Sequence, residues 1–297
     1  VGPLLGDPDV SDVFVNPDGT VWVDRGAGAE RVGGILVAPT EARALAVRLI
    51  ALGGRHLDEA SPTVDVRLGE GIRVHAVLEP LADAATISIR VPASTRWRIA
   101  DLEERGFFEH VGAGRVRELV ARRANVLVTG AGGAGKTTFL AALLADAPET
   151  ERIVVVEDVA ELRIAHPHVV ALEARQPNLE GAGGVPLERL VREALRMRPD
   201  RLVVGECRGS ELRELLAALN TGHDGGAGTL HANSLDDVPA RLEALGALAR
   251  LGPGAVGRQA VSAFDAVLHI ERQPHGRRLV AIGVLGVDRR GRLRMER

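Results

Sequence analysis

The 297-residue sequence has one cysteine, Cys207, two methionines, two tryptophans, five phenylalanines and no tyrosine. A single thiol excludes a disulfide framework and any zinc site built on paired cysteines. No stretch approaches the roughly eighteen consecutive apolar residues that a membrane-spanning helix needs. The first residues, Val1-Gly2-Pro3-Leu4-Leu5, carry neither the basic flank nor the long apolar run of a signal peptide. Lysine is the most telling scarcity: of 37 basic residues only Lys136 is a lysine, which leaves 36 arginines. Where arginine serves wherever a positive charge suffices, the one retained lysine marks a position that needs a compact ammonium. The formal net charge of −3 argues against a general nucleic-acid binder and leaves room only for a local basic channel.

What is present is globular: 45% apolar and 26% charged residues supply a core and exclude disorder as the main state. The length suits one large domain or two ordinary ones, without internal repeats. Composition leads us to expect a soluble cytoplasmic protein.

Residues 1–92 alternate strand-like runs with turns. Phe14-Val15, Asn16-Pro17-Asp18-Gly19 and Thr20-Val21-Trp22-Val23 read as strand, turn and strand. Pro39-Thr40 opens a helix in which Leu45, Leu49 and Leu52 recur at helical spacing. Strands follow at 72–78 and 86–91, with Ile72, Val74, Ala76 and Leu78, then Ile87, Ile89 and Val91, on the apolar face. The same period sends Arg73 and Arg90 to the opposite, polar faces.

After Pro92, a linker with Trp97 and Phe107-Phe108 leads into strand–helix alternation. Short buried strands are expected at 125–129, 153–156, 169–172, 202–204 and 228–230, and helices at about 135–144, 186–197 and 210–219. Ser234-Leu235-Asp236-Asp237 reads as the cap of a further helix carrying Val238, Leu242 and Leu245, and 263–297 reads as strands and turns. This alternation implies an α/β fold with a mostly parallel sheet covered on both faces. The expected domains are 1–95 and 96–297.

Gly130-Ala131-Gly132-Gly133-Ala134-Gly135-Lys136-Thr137 satisfies G-x-x-x-x-G-K-[ST] at every position, between an apolar strand and a helix. Such glycines let successive N–H groups wrap phosphates at a helix N-terminus, while the lysine reaches the β- and γ-phosphates. The Thr137 hydroxyl is expected to ligate Mg²⁺. A plain glycine-rich turn is the bland alternative, and the flanks and the lone lysine speak against it. The expected ligands are therefore ATP and Mg²⁺.

Leu202-Val203-Val204 runs into Gly205-Glu206, where a carboxylate at a strand's C-terminal end holds the Mg²⁺ shell or polarises the attacking water. Ile153-Val154-Val155-Val156 runs into Glu157, Asp158 and Glu161, three carboxylates that repel one another unless cations offset them. The role of general base falls to Glu161, against the alternative of an acidic surface turn. Thr221-Gly222-His223-Asp224 and Thr229-Leu230-His231-Ala232-Asn233 do not match a zinc pattern, and His231 is read as a γ-phosphate sensor. Cys207, with no base assigned to it, reads as a small buried residue.

These four blocks, in this order, resemble the secretion-superfamily ATPases of type II secretion, type IV pili and type IV secretion. That family carries a Walker A motif, an acidic box, a Walker B with G-E-x-R (here Gly205-Glu206-Cys207-Arg208) and a His box. Leu57-Asp58-Glu59-Ala60-Ser61-Pro62 and Leu195-Arg196-Met197-Arg198-Pro199-Asp200 resemble the CpaF-type branch, which powers tight-adherence pili. The chain departs at Gly225-Gly226-Ala227-Gly228, where the family has serine and methionine, and the resemblance places Val1 inside the second N-terminal domain.

The resemblance implies a RecA-like P-loop domain with a smaller N-terminal α+β, PAS-like domain. It implies a Mg²⁺-dependent ATPase that forms a homo-hexamer on inner-membrane platform proteins, peripheral to the inner face of the membrane, with no nucleic-acid partner. Nucleotide binding falls to Gly130, Ala131, Gly132, Gly133, Ala134, Gly135, Lys136, Thr137 and Thr138, and Mg²⁺ to Thr137 and Glu206. Glu161, Glu206 and His231 are the implied catalytic residues. The resemblance also places Arg73 and Arg90 over the γ-phosphate near a neighbouring subunit; solvated surface arginines are the alternative. A RecA-like DNA-translocating motor, a conjugation ATPase and a nucleotide-gated scaffold stay open as other readings.

Overall fold

The computed structural model describes residues 2–7, 9–26, 28–91, 96–175 and 182–296. The chain divides into two units, Val1–Thr95 and Arg96–Arg297.

The first unit holds α1 (Gly2–Leu5), β1 (Asp12–Val15), β2 (Thr20–Asp24), β3 (Ala29–Leu36), α2 (Pro39–Leu52), β4 (Thr63–Arg67), β5 (Arg73–Val77) and β6 (Thr86–Arg90). The strands form one antiparallel sheet in the order β3-β2-β1-β6-β5-β4. Period-two alternation buries Val13, Val15, Val21, Val23, Val74, Ala76, Ile87 and Ile89 on one face. Helix α2 meets that face with Ala42, Ala46 and Ile50. The leucine stripe is thus corrected: Leu45 and Leu49 only flank the contact and Leu52 is 69% exposed, because the alanines let the helix lie close to the sheet. The other face carries a row of partners in register, Arg67 opposite Arg73, Arg73 opposite Arg90 and Arg90 opposite Asp12.

The second unit holds α3 (Ile99–Glu104), α4 (Ala113–Ala121), β7 (Val126–Gly130), α5 (Lys136–Ala145), β8 (Ile153–Glu157), β9 (Val169–Glu173), α6 (Leu187–Leu195) and β10 (Arg201–Val204). It continues with α7 (Glu211–Leu219), β11 (Ala227–His231), α8 (Val238–Leu248), α9 (Pro253–Ala263), β12 (Ala266–Gln273), β13 (Gly276–Val287) and β14 (Leu293–Glu296). Eight strands lie in the order β14-β13-β12-β7-β11-β10-β8-β9. The run from β12 to β9 is parallel throughout, and β13 and β14 add an antiparallel edge.

Each central strand is buried on both faces, so its residues split by parity between two cores. Val126, Val128, Val155 and Val203 face α3, α4 and α5, whereas Leu127, Val154, Val156, Leu202 and Val204 face α6 to α9. The fold class is therefore the expected α/β one. The segment read as a linker instead contributes core residues from Ile99 onward. Phe107 lies 5.0 Å from both Phe108 and Phe139 between ring centroids, and Arg105 stacks over Trp97 at 4.5 Å. Aromatic residues this scarce are placed where their area counts.

Candidate nucleotide site

Parallel strands end on one side of a sheet, and the turns after β7, β8, β10 and β11 therefore converge there. Strand β7 delivers Gly130 at φ +154, with the Ile270 carbonyl of neighbouring β12 only 2.5 Å from where a Cβ would sit. No other residue fits so close to that backbone. The loop turns through an Ala134 N–H donated to Ala131 O at 3.3 Å and enters α5 at Gly135, φ +96. The first N–H groups of a helix lack intrahelical acceptors, so Lys136, Thr137 and Thr138 open α5 as an anion-attracting terminus.

Lys136 is only 6% exposed. Its Nζ donates to Gly130 O at 3.1 Å, to Ala131 O at 3.0 Å and to Nδ1 of His231 at 3.2 Å. His231 Nε2 in turn meets Glu206 Oε1 at 2.8 Å, and Arg208 donates to Glu206 Oε2 at 2.6 Å. An ammonium can only donate, so Nδ1 accepts and the His231 proton sits on Nε2, on the side of the ring nearer the carboxylate. Burial, reinforced by the nearby ammonium, lowers the His231 pKa and so favours the neutral ring. Burial also lowers Lys136, against the pull of Glu206. For Glu206, burial works upward and is outweighed by Arg208, His231 and Lys136, so its carboxyl ends below the usual range. The structure thus brings Lys136, His231 and Glu206 together, with Lys136 hydrogen-bonded to His231 and with Glu206 Oε1 close to the ring yet without a hydrogen-bond partner among the described residues. A cavity of about 340 Å³ opens beside them, lined by Ala131, Gly132, His231, Asn233, Asp237 and Arg241.

The acidic cluster separates into unlike parts. Glu157 is 4% exposed, and its Oε1 accepts the N–H groups of Glu161 and Leu162, each at 3.0 Å. Its Oε2 has no hydrogen-bond partner among the described residues. Burial pushes its pKa up to about 7 in spite of those two bonds. The side chain packs under Gly205, where a Cβ would meet Glu157 Cγ at 2.5 Å. Glu161 is exposed, and it and Asp158 both act on the charge of Arg208. Glu157 therefore shapes the loop that carries Glu161.

Thr229 Oγ1 donates to Gly205 O at 2.6 Å and pins the end of β10 to β11, which sets Glu206 beside His231. His223 engages Ala218 O at 3.2 Å at the end of α7. Cys207 is buried with its thiol pushed up by that burial, as the sequence suggests. No helix among the described residues is long and apolar enough to cross a membrane. Likewise, no group of three His, Cys, Asp or Glu among them is arranged to cage a metal. A Mg²⁺ ion fits this donor set only in the manner of phosphate-bound Mg²⁺, with the Thr137 hydroxyl, phosphate oxygens and water as ligands and Glu206 acting through water.

Arg73 and Arg90 belong to the first unit, facing each other across β5 and β6, with Arg90 Nε on Asp12 at 3.1 Å. Sequence reasoning assigns no role to Arg208, Arg241 or Arg277. The G-E-x-R spacing contains a signal for Arg208. Arg241, which donates to His231 O at 3.1 Å, and Arg277 reach the loop only through tertiary structure.

The type II/IV secretion system protein family matches residues 3–277. A putative conjugal transfer protein of Mycobacterium tuberculosis is 48% identical over 286 residues, spanning 94% of this chain and 81% of the relative. The probable conjugal transfer protein TrbB of Sinorhizobium fredii is 32% identical, spanning 93% and 83%. Among solved structures, the VirB11 ATPase of the Brucella suis type IV secretion system has 26% identity and a TM-score of 0.51, covering 95% of this chain and 94% of that one. The pilus retraction motor PilT with bound ADP, at 19% identity and TM-score 0.66, covers 99% and 81% and shares the fold.

Proposed function

The chain belongs to the type II/IV secretion system protein family, and from that premise we propose that it is a Mg²⁺-dependent ATPase motor. One observation carries the reading: the only lysine is buried at the mouth of a complete phosphate loop and hydrogen-bonded to His231, which lies 2.8 Å from the Glu206 carboxylate. In this reading the N–H groups of the loop and the Lys136 ammonium bind the phosphates. Thr137 and Glu206 hold the Mg²⁺ shell, and Mg²⁺ supplies charge neutralisation. Glu161 accepts the proton of the attacking water, and His231, neutral and oriented, reports on the γ-phosphate to Glu206. Arg73 and Arg90 supply guanidinium charge to the phosphoryl oxygens.

The motor works as a homo-hexamer at the inner face of the membrane, on platform proteins of a pilus or secretion apparatus. Two readings of that apparatus have separate support. The segments at 57–62 and 195–200 favour tight-adherence pili, and the names of the relatives favour conjugal transfer. Genes for prepilins beside this one would decide for the first, and genes for a conjugation channel for the second.

ATPase turnover with and without DNA tests the core of the proposal. Glu206→Gln and Glu161→Gln should keep nucleotide binding and slow hydrolysis by about 10²–10⁴-fold, and Arg73→Ala and Arg90→Ala should each lower kcat with the fold intact. Turnover that requires DNA would point to a DNA-translocating motor. Tight binding without turnover would point to a scaffold.

A further inference from the structure

We propose that Arg277 is a positioning residue of the phosphate loop, holding the Gly133 carbonyl from the β12–β13 hairpin and so fixing the turned shape of the loop for a nucleoside diphosphate or triphosphate. The proposal rests on reading this loop as a nucleoside-phosphate cradle. Arg277 Nε donates to Gly133 O at 3.2 Å. Its aliphatic stem lies over Gly135, where a Cβ would come within 2.7 Å of Arg277 Cδ. In a trans peptide the carbonyl and the following N–H point opposite ways. Holding Gly133 O therefore turns the Ala134 N–H to the opposite side, where it closes the loop's turn on Ala131 O at 3.3 Å.

The arm that does this is anchored on three sides. Strand β12 runs beside β7 with Ile270 paired to Gly130. The Leu279 N–H donates to Phe107 O at 2.9 Å, and Arg278 Nε reaches Glu109 at 3.3 Å. Arg277 is exposed at its surface yet mounted on a fixed strand, so the entropy lost in making its bond is small. Gly135 is then required on two counts, its positive φ and the seat it leaves for the arginine stem. A hydrogen bond that orients one peptide of the cradle should matter only to ligands whose phosphate chain reaches it.

Calorimetric titration of the full chain with AMP-PNP, ADP and AMP in Mg²⁺ tests this. Arg277→Ala should weaken AMP-PNP and ADP by about 5- to 20-fold, change AMP by less than about two-fold, and leave the thermal midpoint near wild type. Arg277→Lys should recover part of the loss, since an ammonium restores the charge and a donor without the fork. If the alanine variant proves unstable, Arg277→Gln, which keeps bulk over Gly135, should show the same dependence on phosphate number. Unchanged ADP affinity beside normal wild-type binding would overturn the clamp alone, as would an equal loss for AMP. A wild-type chain that binds none of the three would overturn the nucleotide reading and the clamp with it.

Discussion

The two ends of the parallel sheet both bury charge, and they bury it differently. At the amino ends, Arg201 is 2% exposed, pairs with Glu151 and donates to Val120 O at 2.9 Å. Beside it Arg152 donates its N–H to Asp200 at 2.8 Å and its Nε to Met197 O at 3.0 Å. These charges end on acceptors that the fold itself supplies. At the carboxyl ends, Lys136, His231 and Glu206 lie together, the helix α5 donors lack helical acceptors, and one oxygen of Glu157 is orphaned. Burial of charge is common to both ends. Unspent acceptors on Glu157 and Glu206, together with free helix N–H donors, distinguish the end built to receive a ligand. Among the described residues, the orphaned buried atom at the amino end is the Arg123 Nε, 3.8 Å from Glu151.

The largest effect that would test this contrast is at Lys136. Lys136→Ala should extinguish hydrolysis and weaken triphosphate binding by about 10²–10³-fold, since it removes a desolvated cation from phosphate. Lys136→Arg should also be severely impaired, because the ammonium fits between the Gly130 and Ala131 carbonyls and His231, where a planar fork is too wide. Turnover near wild type in the arginine variant would break the argument from lysine scarcity.

At the other end, Arg201→Met should destabilise the chain by about 3 kcal/mol, read from urea unfolding, because Glu151 would be left largely buried with only Arg123, 3.8 Å away, to offset its charge. Nucleotide affinity of the surviving folded fraction should not change. A parallel loss of affinity at constant stability would erase the distinction between the two ends.

Much of this was legible in the sequence. The glycine run and its flanks announce the loop, and Glu206 and His231 are marked by the strands that deliver them. Period-two patterning puts Arg73 and Arg90 on the polar faces of their strands, and the β5–β6 register sets them directly opposite each other. Other features were hidden for identifiable reasons. Helices α3 and α4 are short, and the apolar residues between them looked like a linker because their partner, Phe139, is distant in sequence. The α2 face was misread because alanine is a weak hydrophobic signal and a strong packing one. Arg277 lies far along the chain from Gly133, and nothing in local patterning says that parallel pairing of β12 with β7 will bring the hairpin over the loop. Within the acidic cluster, spacing alone does not separate the acid that turns inward from those that face out.

That inward acid gives the smallest effect and the most direct view of an unspent acceptor. Glu157 has a pKa raised from 4.5 to about 7, so between those values the folded chain holds a proton that the unfolded chain has lost. Stability must then fall as pH rises through that window and level off above it, the opposite of a paired carboxylate. At about 1.4 kcal/mol per unit, the ceiling is about 3 kcal/mol. In Glu157→Gln the amide oxygen can still accept the Glu161 and Leu162 N–H groups, and no charge remains to desolvate. The amide's own N–H groups, buried near the former Oε2, add a cost that does not vary with pH. The observable is therefore the slope and not the absolute stability. Urea midpoints at pH 5, 6, 7 and 8 should decline for the wild type relative to Glu157→Gln, with most of the change complete by pH 8. Parallel curves for the two proteins would mean that Glu157 is ionised at little cost, and that a water or a cation already occupies the place where its second oxygen points.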